Sequence, residues 1–196
     1  APESAEIVDF GKRYLLPGFV ELHAHGGGGE DFGDCDADAF SRICALHLSH
    51  GVTRICPTLT ACAWERTLAF LRLCERMRTH PMFAGAHLEG PFLSPQMCGA
   101  QNTACLLRPT ASYAAQLCDH RVVISRMTLA PELPDADAFA QQLWKAGIAL
   151  SVGHSDADAE TVRRAVSLGY TQVTHLFCST SARKKRGSYV IGGVAE

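Results

Sequence analysis

The sequence predicts an α/β fold in which helices cover a parallel β-sheet, and three observations support this. Apolar, β-branched segments alternate with segments of helical periodicity along the chain. The apolar segments are nearly continuous hydrophobic runs, as is typical of strands buried on both faces. Polar side chains follow these runs at equivalent points. Either a doubly wound sheet or a (β/α)8 barrel fits this pattern.

The alternation gives six predicted strands and five predicted helices. The strands are residues 15–25, 51–59, 82–90, 121–132, 147–155 and 171–177. The helices are residues 37–50, 64–79, 111–119, 135–146 and 156–168. In the first helix Phe40, Ile43 and Cys44 share one face, as the 3.6-residue period requires. Ser155 and Asp158 have the spacing of a capping box before the last helix.

Composition limits the class of protein. With 196 residues, 47% hydrophobic and 19% charged, the chain is predicted to form one soluble globular domain. A net charge of -2 gives no electrostatic case for nucleic acid or a membrane surface, so a small-molecule partner is expected. Nine cysteines without a CxxC pair, no run near ~18 apolar residues and no signal pattern predict a reduced, cytoplasmic protein.

Five polar residues stand near the ends of predicted strands. His23 and His25 end the first apolar run, Glu89 the third and His154 the fifth, and His175 lies near the end of the sixth. Because the carboxyl ends of parallel strands meet at one edge, we expect these side chains to converge.

A set of imidazoles with one carboxylate indicates a site for zinc or another divalent first-row ion. Alternation along a strand places the rings of His23 and His25 on the same side. A cation would also explain how Glu89 stays ionised among apolar residues. Taken singly, each histidine could be a structural residue, and Glu89 could cap a helix or pair with an arginine. Five such residues at equivalent positions favour the metal site.

The motifs that carry these residues resemble those of N-acetylglucosamine-6-phosphate deacetylases of the amidohydrolase superfamily. Five motifs occur in the family's order and at about its spacing: "PGFVELHAHGGGGEDF" (17–32), "HLEGPFLSP" (87–95) with "GAQN" (99–102), "TLAPE" (128–132), "SVGHSDA" (151–157) and "THLF" (174–177). The resemblance extends over nearly the whole chain.

The resemblance implies a (β/α)8 barrel of the TIM type beside a small β-sandwich. It implies hydrolysis of the acetamide of N-acetylglucosamine 6-phosphate to glucosamine 6-phosphate and acetate, with a metal that polarises the carbonyl and activates water. Glu89, His154 and His175 match the family's metal ligands. His23 and His25 match the positions at which some members hold a second ion.

The resemblance also implies substrate contacts at Ala100, Gln101, Cys178 and Ser179, although an asparagine often replaces Cys178 in the family. A phosphate-binding arginine that can reach into a neighbouring subunit is expected within "RKKR" (183–186), and counting from His175 selects Arg186. A solvated loop of like charges is the alternative for this run. A homodimer is expected for the full-length protein.

Six of the eight strand–helix units of a barrel are visible. We therefore expect an incomplete barrel over residues 15–196, with residues 1–14 as a remnant of the β-sandwich segment. The family's general acid/base, an aspartate at the end of a later strand, is expected beyond Glu196. Two alternatives remain: an amidohydrolase acting on another N-acyl sugar or a cyclic amide, and a catalytically silent metal-binding fragment.

Overall fold

The computed structural model describes residues 4–195, except the side chains of residues 184–186. In this range five α-helices alternate with the strands of a parallel sheet. The strands are Phe19–Ala24 (β1), Gly26–Gly27 (β2), Glu30–Asp31 (β3), Val52–Leu59 (β4), Ala86–Glu89 (β5), Ile124–Leu129 (β6), Ala149–Val152 (β7), Tyr170–Val173 (β8), Arg183–Arg186 (β9) and Tyr189–Gly192 (β10). The helices are Ala37–Ser49 (α1), Trp64–Met77 (α2), Ala111–Asp119 (α3), Ala136–Lys145 (α4) and Ala159–Ser167 (α5).

The sheet has the order β1-β4-β5-β6-β7-β8, and every neighbouring pair is parallel. The order never reverses, so the sheet is not doubly wound but an arc of a (β/α) barrel. The guanidinium of Arg126 in β6 donates to the carbonyl of Leu22 in β1 and to the side chain of Gln172 in β8. This contact across the interior shows the curl of the sheet, and the fold prediction is confirmed.

The core lies between the sheet and the helices. Large side chains of α1, α2 and α4, including Phe40, Phe70 and Phe139, are buried against the strands. Phe92, just after β5, packs on Phe139 with ring centroids 4.5 Å apart. Among residues 4–195, no helix is both long and apolar enough to cross a membrane.

The predicted capping box before α5 is wrong. Asp158 is the N-cap of this helix, and its carboxylate accepts the N–H of Thr161 at 2.8 Å. The hydroxyl of Ser155 donates instead to Glu132 at 2.7 Å. The helix therefore begins three residues later than predicted, because a carboxylate from a neighbouring strand end competes for Ser155.

Two short antiparallel hairpins were not predicted, β2 with β3 and β9 with β10. The basic run 183–186 forms the first strand of the second hairpin, so its backbone is not the irregular loop weighed as an alternative. Gly187 has φ of 63°, a conformation that suits the two-residue turn between these strands.

Both edges of the six-stranded sheet lack a second neighbour within the described range. Along β1, Phe19, Val20 and Leu22 are exposed, and on β8 Val173 is exposed. Exposed apolar side chains on an edge strand favour its pairing with another strand.

Candidate metal centre

The five residues predicted as ligands lie together at the carboxyl edge of the sheet. His23 lies in β1, His25 is the first residue after β1, and Glu89 is the last residue of β5. His154 and His175 each lie two residues beyond the end of a strand, β7 and β8 respectively. The parallel topology therefore produces the convergence that the strand-end positions predicted.

The carboxylate of Glu89 is the centre of this cluster and only 1% of its side chain is exposed. Its Oε1 lies 2.5 Å from Nε2 of His175, 3.1 Å from Nε2 of His154 and 3.5 Å from Nε2 of His23. Its Oε2 lies 3.2 Å from Nε2 of His25. Four imidazoles from three strand ends thus face one buried carboxylate.

These donor atoms form two groups that could each hold an ion: Glu89, His154 and His175, and His23, His25 and Glu89. Ligands placed 2.0–2.1 Å from a tetrahedral zinc ion are about 3.3 Å apart. The Nε2 atoms of His23 and His25 are 3.1 Å apart, and most of the distances to Glu89 are close to this value. The donor set therefore fits one or two divalent ions that share the Glu89 carboxylate.

Two of the rings are oriented by backbone carbonyls. Nδ1 of His25 lies 3.2 Å from the oxygen of Thr58, and Nδ1 of His154 lies 3.0 Å from the oxygen of Met97. A carbonyl only accepts, so in the neutral ring Nδ1 carries the proton and the lone pair of Nε2 faces the site. This is the tautomer that a metal ligand requires.

The electrostatics of the cluster also favour an ionised carboxylate. Burial alone would raise the pKa of Glu89, but His154, His23 and His25, which donate to this carboxylate through Nε2 when they are protonated, outweigh burial and hold its pKa well below its ordinary value. The hydrogen bond with Glu89 raises the pKa of His25 against the opposing effect of burial.

The backbone at two of the histidines is held in an uncommon conformation. His154 has φ of 48° and His175 has φ of 58°, in the left-handed region that non-glycine residues rarely adopt. Glu132, three residues beyond the end of β6, supports the chain just after His154, because its carboxylate accepts hydrogen bonds from the hydroxyl of Ser155 and the N–H of Asp156, at 2.7 and 2.6 Å. Glu132 thus has a structural hydrogen-bonding role.

A network of buried, hydrogen-bonded polar side chains lies in the sheet below the histidine cluster. Nε2 of His87 is 2.7 Å from the hydroxyl of Thr128, which is 2.9 Å from that of Thr174, which is 2.7 Å from that of Ser151. The Arg126 guanidinium lies 3.1 Å from Nδ1 of His87 and can only donate. Nδ1 therefore accepts and Nε2 carries the proton. Burial, followed by the nearby charge of Arg126, lowers the pKa of His87 to about 2.

His87 should make the metal-free protein sensitive to acid. Its pKa is about 2 in the folded chain against an ordinary 6.5, so only the unfolded chain takes up this proton between these values, and stability falls as the pH drops below 6.5. From pH 7 to pH 5 this group should cost about 2 kcal/mol. Urea unfolding at pH 7, 6 and 5 should show a smaller loss for His87→Asn than for the wild type.

The matched control for this experiment is His50→Asn, which replaces an exposed ring at the end of α1. It should keep the wild-type dependence on pH. Equal pH dependence in all three proteins would contradict the role assigned to His87.

A cavity of about 520 Å³ opens over the cluster. Its lining residues are His25, Thr60, Glu89, Gly99, Ala100, Gln101, His154, His175, Cys178 and Ser179. The cavity therefore includes all four residues at which the resemblance implied substrate contacts: Ala100, Gln101, Cys178 and Ser179. Arg186 belongs to β9, but its side chain is outside the described part of the structure.

Two lining residues, Thr60 and Gly99, were missed by the sequence analysis. Thr60 directly follows β4 and so had the same strand-end signal as the histidines. Gly99 has φ of 59°, and a Cβ placed on it would lie 3.1 Å from Oγ of Ser179 and 3.7 Å from Cε1 of His154. A larger residue would crowd the site at this point.

Comparison with known proteins agrees with the geometry. No model of a protein family matches the chain. The N-acetylglucosamine-6-phosphate deacetylase of Lysinibacillus sphaericus is 31% identical over 93% of this chain and 48% of its own length. The human protein of the same name is 34% identical over 94% of this chain and 47% of its own. The chain therefore spans about half the length of the curated relatives it matches.

Solved structures show the same relation. A mutant of the Mycobacterium smegmatis N-acetyl-D-glucosamine-6-phosphate deacetylase, in complex with N-acetyl-D-glucosamine-6-phosphate, has a TM-score of 0.85 and 34% identity over 92% of this chain and 46% of its own. The Pasteurella multocida N-acetylglucosamine-6-phosphate deacetylase has a TM-score of 0.90 and 27% identity over 100% of this chain and 51% of its own. The chain is thus similar in sequence and in fold to about half of an N-acetylglucosamine-6-phosphate deacetylase, as its motifs predicted.

Proposed function

We propose that the protein hydrolyses the acetamide of N-acetylglucosamine 6-phosphate to glucosamine 6-phosphate and acetate, in amino-sugar metabolism. The observation that carries this proposal is the cluster of four histidines around Glu89, because Glu89 and three of these histidines line a cavity of about 520 Å³. Relatives named N-acetylglucosamine-6-phosphate deacetylase match most of this chain. The structure of one protein of this name has been solved in complex with N-acetyl-D-glucosamine-6-phosphate.

Zinc is the ion we propose, bound by Glu89, His154 and His175, with a second ion between Glu89, His23 and His25. Nitrogen and oxygen donors at these distances suit zinc, although iron or another first-row ion would find the same ligands. When bound, such an ion supplies Lewis-acid chemistry toward an amide carbonyl. The residues themselves supply the orientation of the donors, a buried negative charge and a partly enclosed cavity.

The substrate would lie between the two loops at residues 99–101 and 178–179. The N–H groups of Cys178 and Ser179 already donate to the carbonyl of His175, both at 3.0 Å. These two residues would therefore contact a sugar through their side chains, and the thiol of Cys178 is a weak hydrogen-bonding partner. We assign proton transfer to the leaving amine to no residue of this sequence, because Glu89 is the only carboxylate among the described cavity residues.

Three further assignments belong to the same proposal. Arg186 is proposed to bind the substrate's phosphate, and the full-length protein is proposed to be a cytoplasmic homodimer. We also propose that residues 1–14 belong to a small β-sandwich beside the barrel of residues 15–196. The exposure of the apolar side chains of Ile7 and Tyr14, 86% and 97%, supports this, because a second domain would cover them.

Acetate release tests the proposed function. The purified full-length protein, stripped of metal and reloaded with zinc, should release acetate and an equal amount of free amine from N-acetylglucosamine 6-phosphate. Unphosphorylated N-acetylglucosamine and a cyclic amide should react much more slowly. Faster turnover of either would favour another substrate class, and zinc retention without any turnover would favour a silent metal-binding protein.

A further inference from the structure

We infer that Gln101 is a positioning residue for the Glu89 carboxylate and acts through its side-chain amide. This goes beyond the substrate contact implied at this position. The inference rests on the metal-binding part of the proposed function and not on the choice of substrate.

The orientation of the Gln101 amide follows from its two hydrogen bonds. The N–H of Ala61, just after β4, donates to Oε1 of Gln101 at 2.7 Å. A backbone N–H can only donate, so the oxygen of the amide must face Ala61. The amino group then faces Glu89 and donates to its Oε2 at 3.0 Å. The amide is therefore held between the ends of two neighbouring strands.

The bond to Oε2 determines how the carboxylate can face its histidines. Oε1 is the oxygen near His154 and His175, whereas Oε2 is near His25. The terminal torsion of a glutamate side chain has no sharply preferred angle, so the Glu89 side chain does not by itself fix the plane of its carboxylate. The hydrogen bond from Gln101 fixes it, with one oxygen toward each of the two donor groups. Because the amide is neutral, it does this without cancelling the charge that attracts a cation.

The segment that carries Gln101 also orients a second ligand. Met97, four residues earlier, accepts the Nδ1 proton of His154 through its carbonyl oxygen. Between them, Gly99 lies against His154 and approaches Ser179 so closely that a Cβ would be 3.1 Å from its Oγ. One loop after β5 therefore holds a histidine and the shared carboxylate in register. Hydrogen-bond partners of this kind usually set metal affinity as well as geometry.

The test is the substitution Gln101→Met, which keeps the length of the side chain and removes both hydrogen bonds. In competition with a chelating dye, zinc affinity should fall about 10–100-fold. The visible absorption spectrum of the cobalt-substituted protein should also shift, because the carboxylate can rotate. The unfolding midpoint of the metal-free protein should change little, which separates positioning from a general loss of structure.

Gln96→Met is the matched control, because Gln96 lies in the same loop and its amide oxygen accepts from Ser94 rather than contacting Glu89. It should leave both zinc affinity and the cobalt spectrum unchanged. Equal zinc affinity and an identical cobalt spectrum for Gln101→Met and the wild type would overturn the role of Gln101 alone. A wild-type protein that binds neither zinc nor cobalt would overturn this role together with the proposed metal function.

Discussion

Glu89→Gln should lower zinc affinity more than any other single substitution at the site, by more than about 100-fold. Loss of a hydrogen-bonding partner of a ligand typically costs 10–100-fold, and Glu89 is the proposed ligand that both donor groups have in common. Glutamine preserves the shape of the side chain but removes the charge. The ion must then compete with protons for the four imidazoles, with no anion nearby to favour its binding.

Metal content after dialysis and chelator competition at pH 7.5 measure this effect. Glu75→Gln is the control, because Glu75 also contacts a histidine, His120 at 2.7 Å, but lies far from the cavity residues along α2. It should keep the wild-type zinc content. Retention of one tightly bound zinc by Glu89→Gln would show that Glu89 does not bind the ion, and the proposed centre would then be wrong.

Phe92→Ala should lower the free energy of unfolding by about 3–5 kcal/mol, more than any other substitution proposed here. Phe92 is 0% exposed, and its ring lies 4.5 Å from that of Phe139, 5.7 Å from that of Tyr113 and 6.2 Å from that of Trp64. It joins three helices just where the chain leaves β5. Removing the ring loses its burial and leaves a cavity that rigid aromatic neighbours cannot fill.

Urea unfolding of the metal-free wild type and of metal-free Phe92→Ala measures this loss. The variant should have a lower unfolding midpoint, while the slope of the free energy of unfolding against urea concentration stays the same. Val122→Ala is the control, because this side chain is 69% exposed in the turn before β6 and its loss should change stability by less than about 0.5 kcal/mol. A midpoint for Phe92→Ala close to that of the control would mean that this aromatic cluster does not hold the helices to the sheet.

Local periodicity predicted the fold well because each unit has its own signal. The helix at 111–119 has the same bounds in the sequence prediction and in the structure, and the others differ only at their ends. The predicted strands were longer than the observed ones. Apolar residues continue beyond the strand where they line the core, as Met82 and Phe83 do before β5, so hydrophobicity alone does not mark where pairing stops.

The convergence of His23, His25, Glu89, His154 and His175 could also be predicted, since parallel strands bring equivalent positions to one edge. The partners that orient these residues could not. Gln101 and Ala61 are 40 residues apart, and Ser155 bonds to Glu132 across 23 residues. No spacing rule connects such pairs, and the same Ser155 had an equally good local partner in Asp158.

The sequence by itself determined the alternation of strands and helices and the placement of five metal-ligand types at strand ends, because both depend on short-range periodicity. The tertiary structure alone decided that the sheet curls in one direction, that Glu89 is buried beneath four imidazoles, and that Gln101 and Met97 form hydrogen bonds with Glu89 and His154. These features depend on contacts between residues distant in the chain, and such contacts exist only once the strands have taken their neighbours.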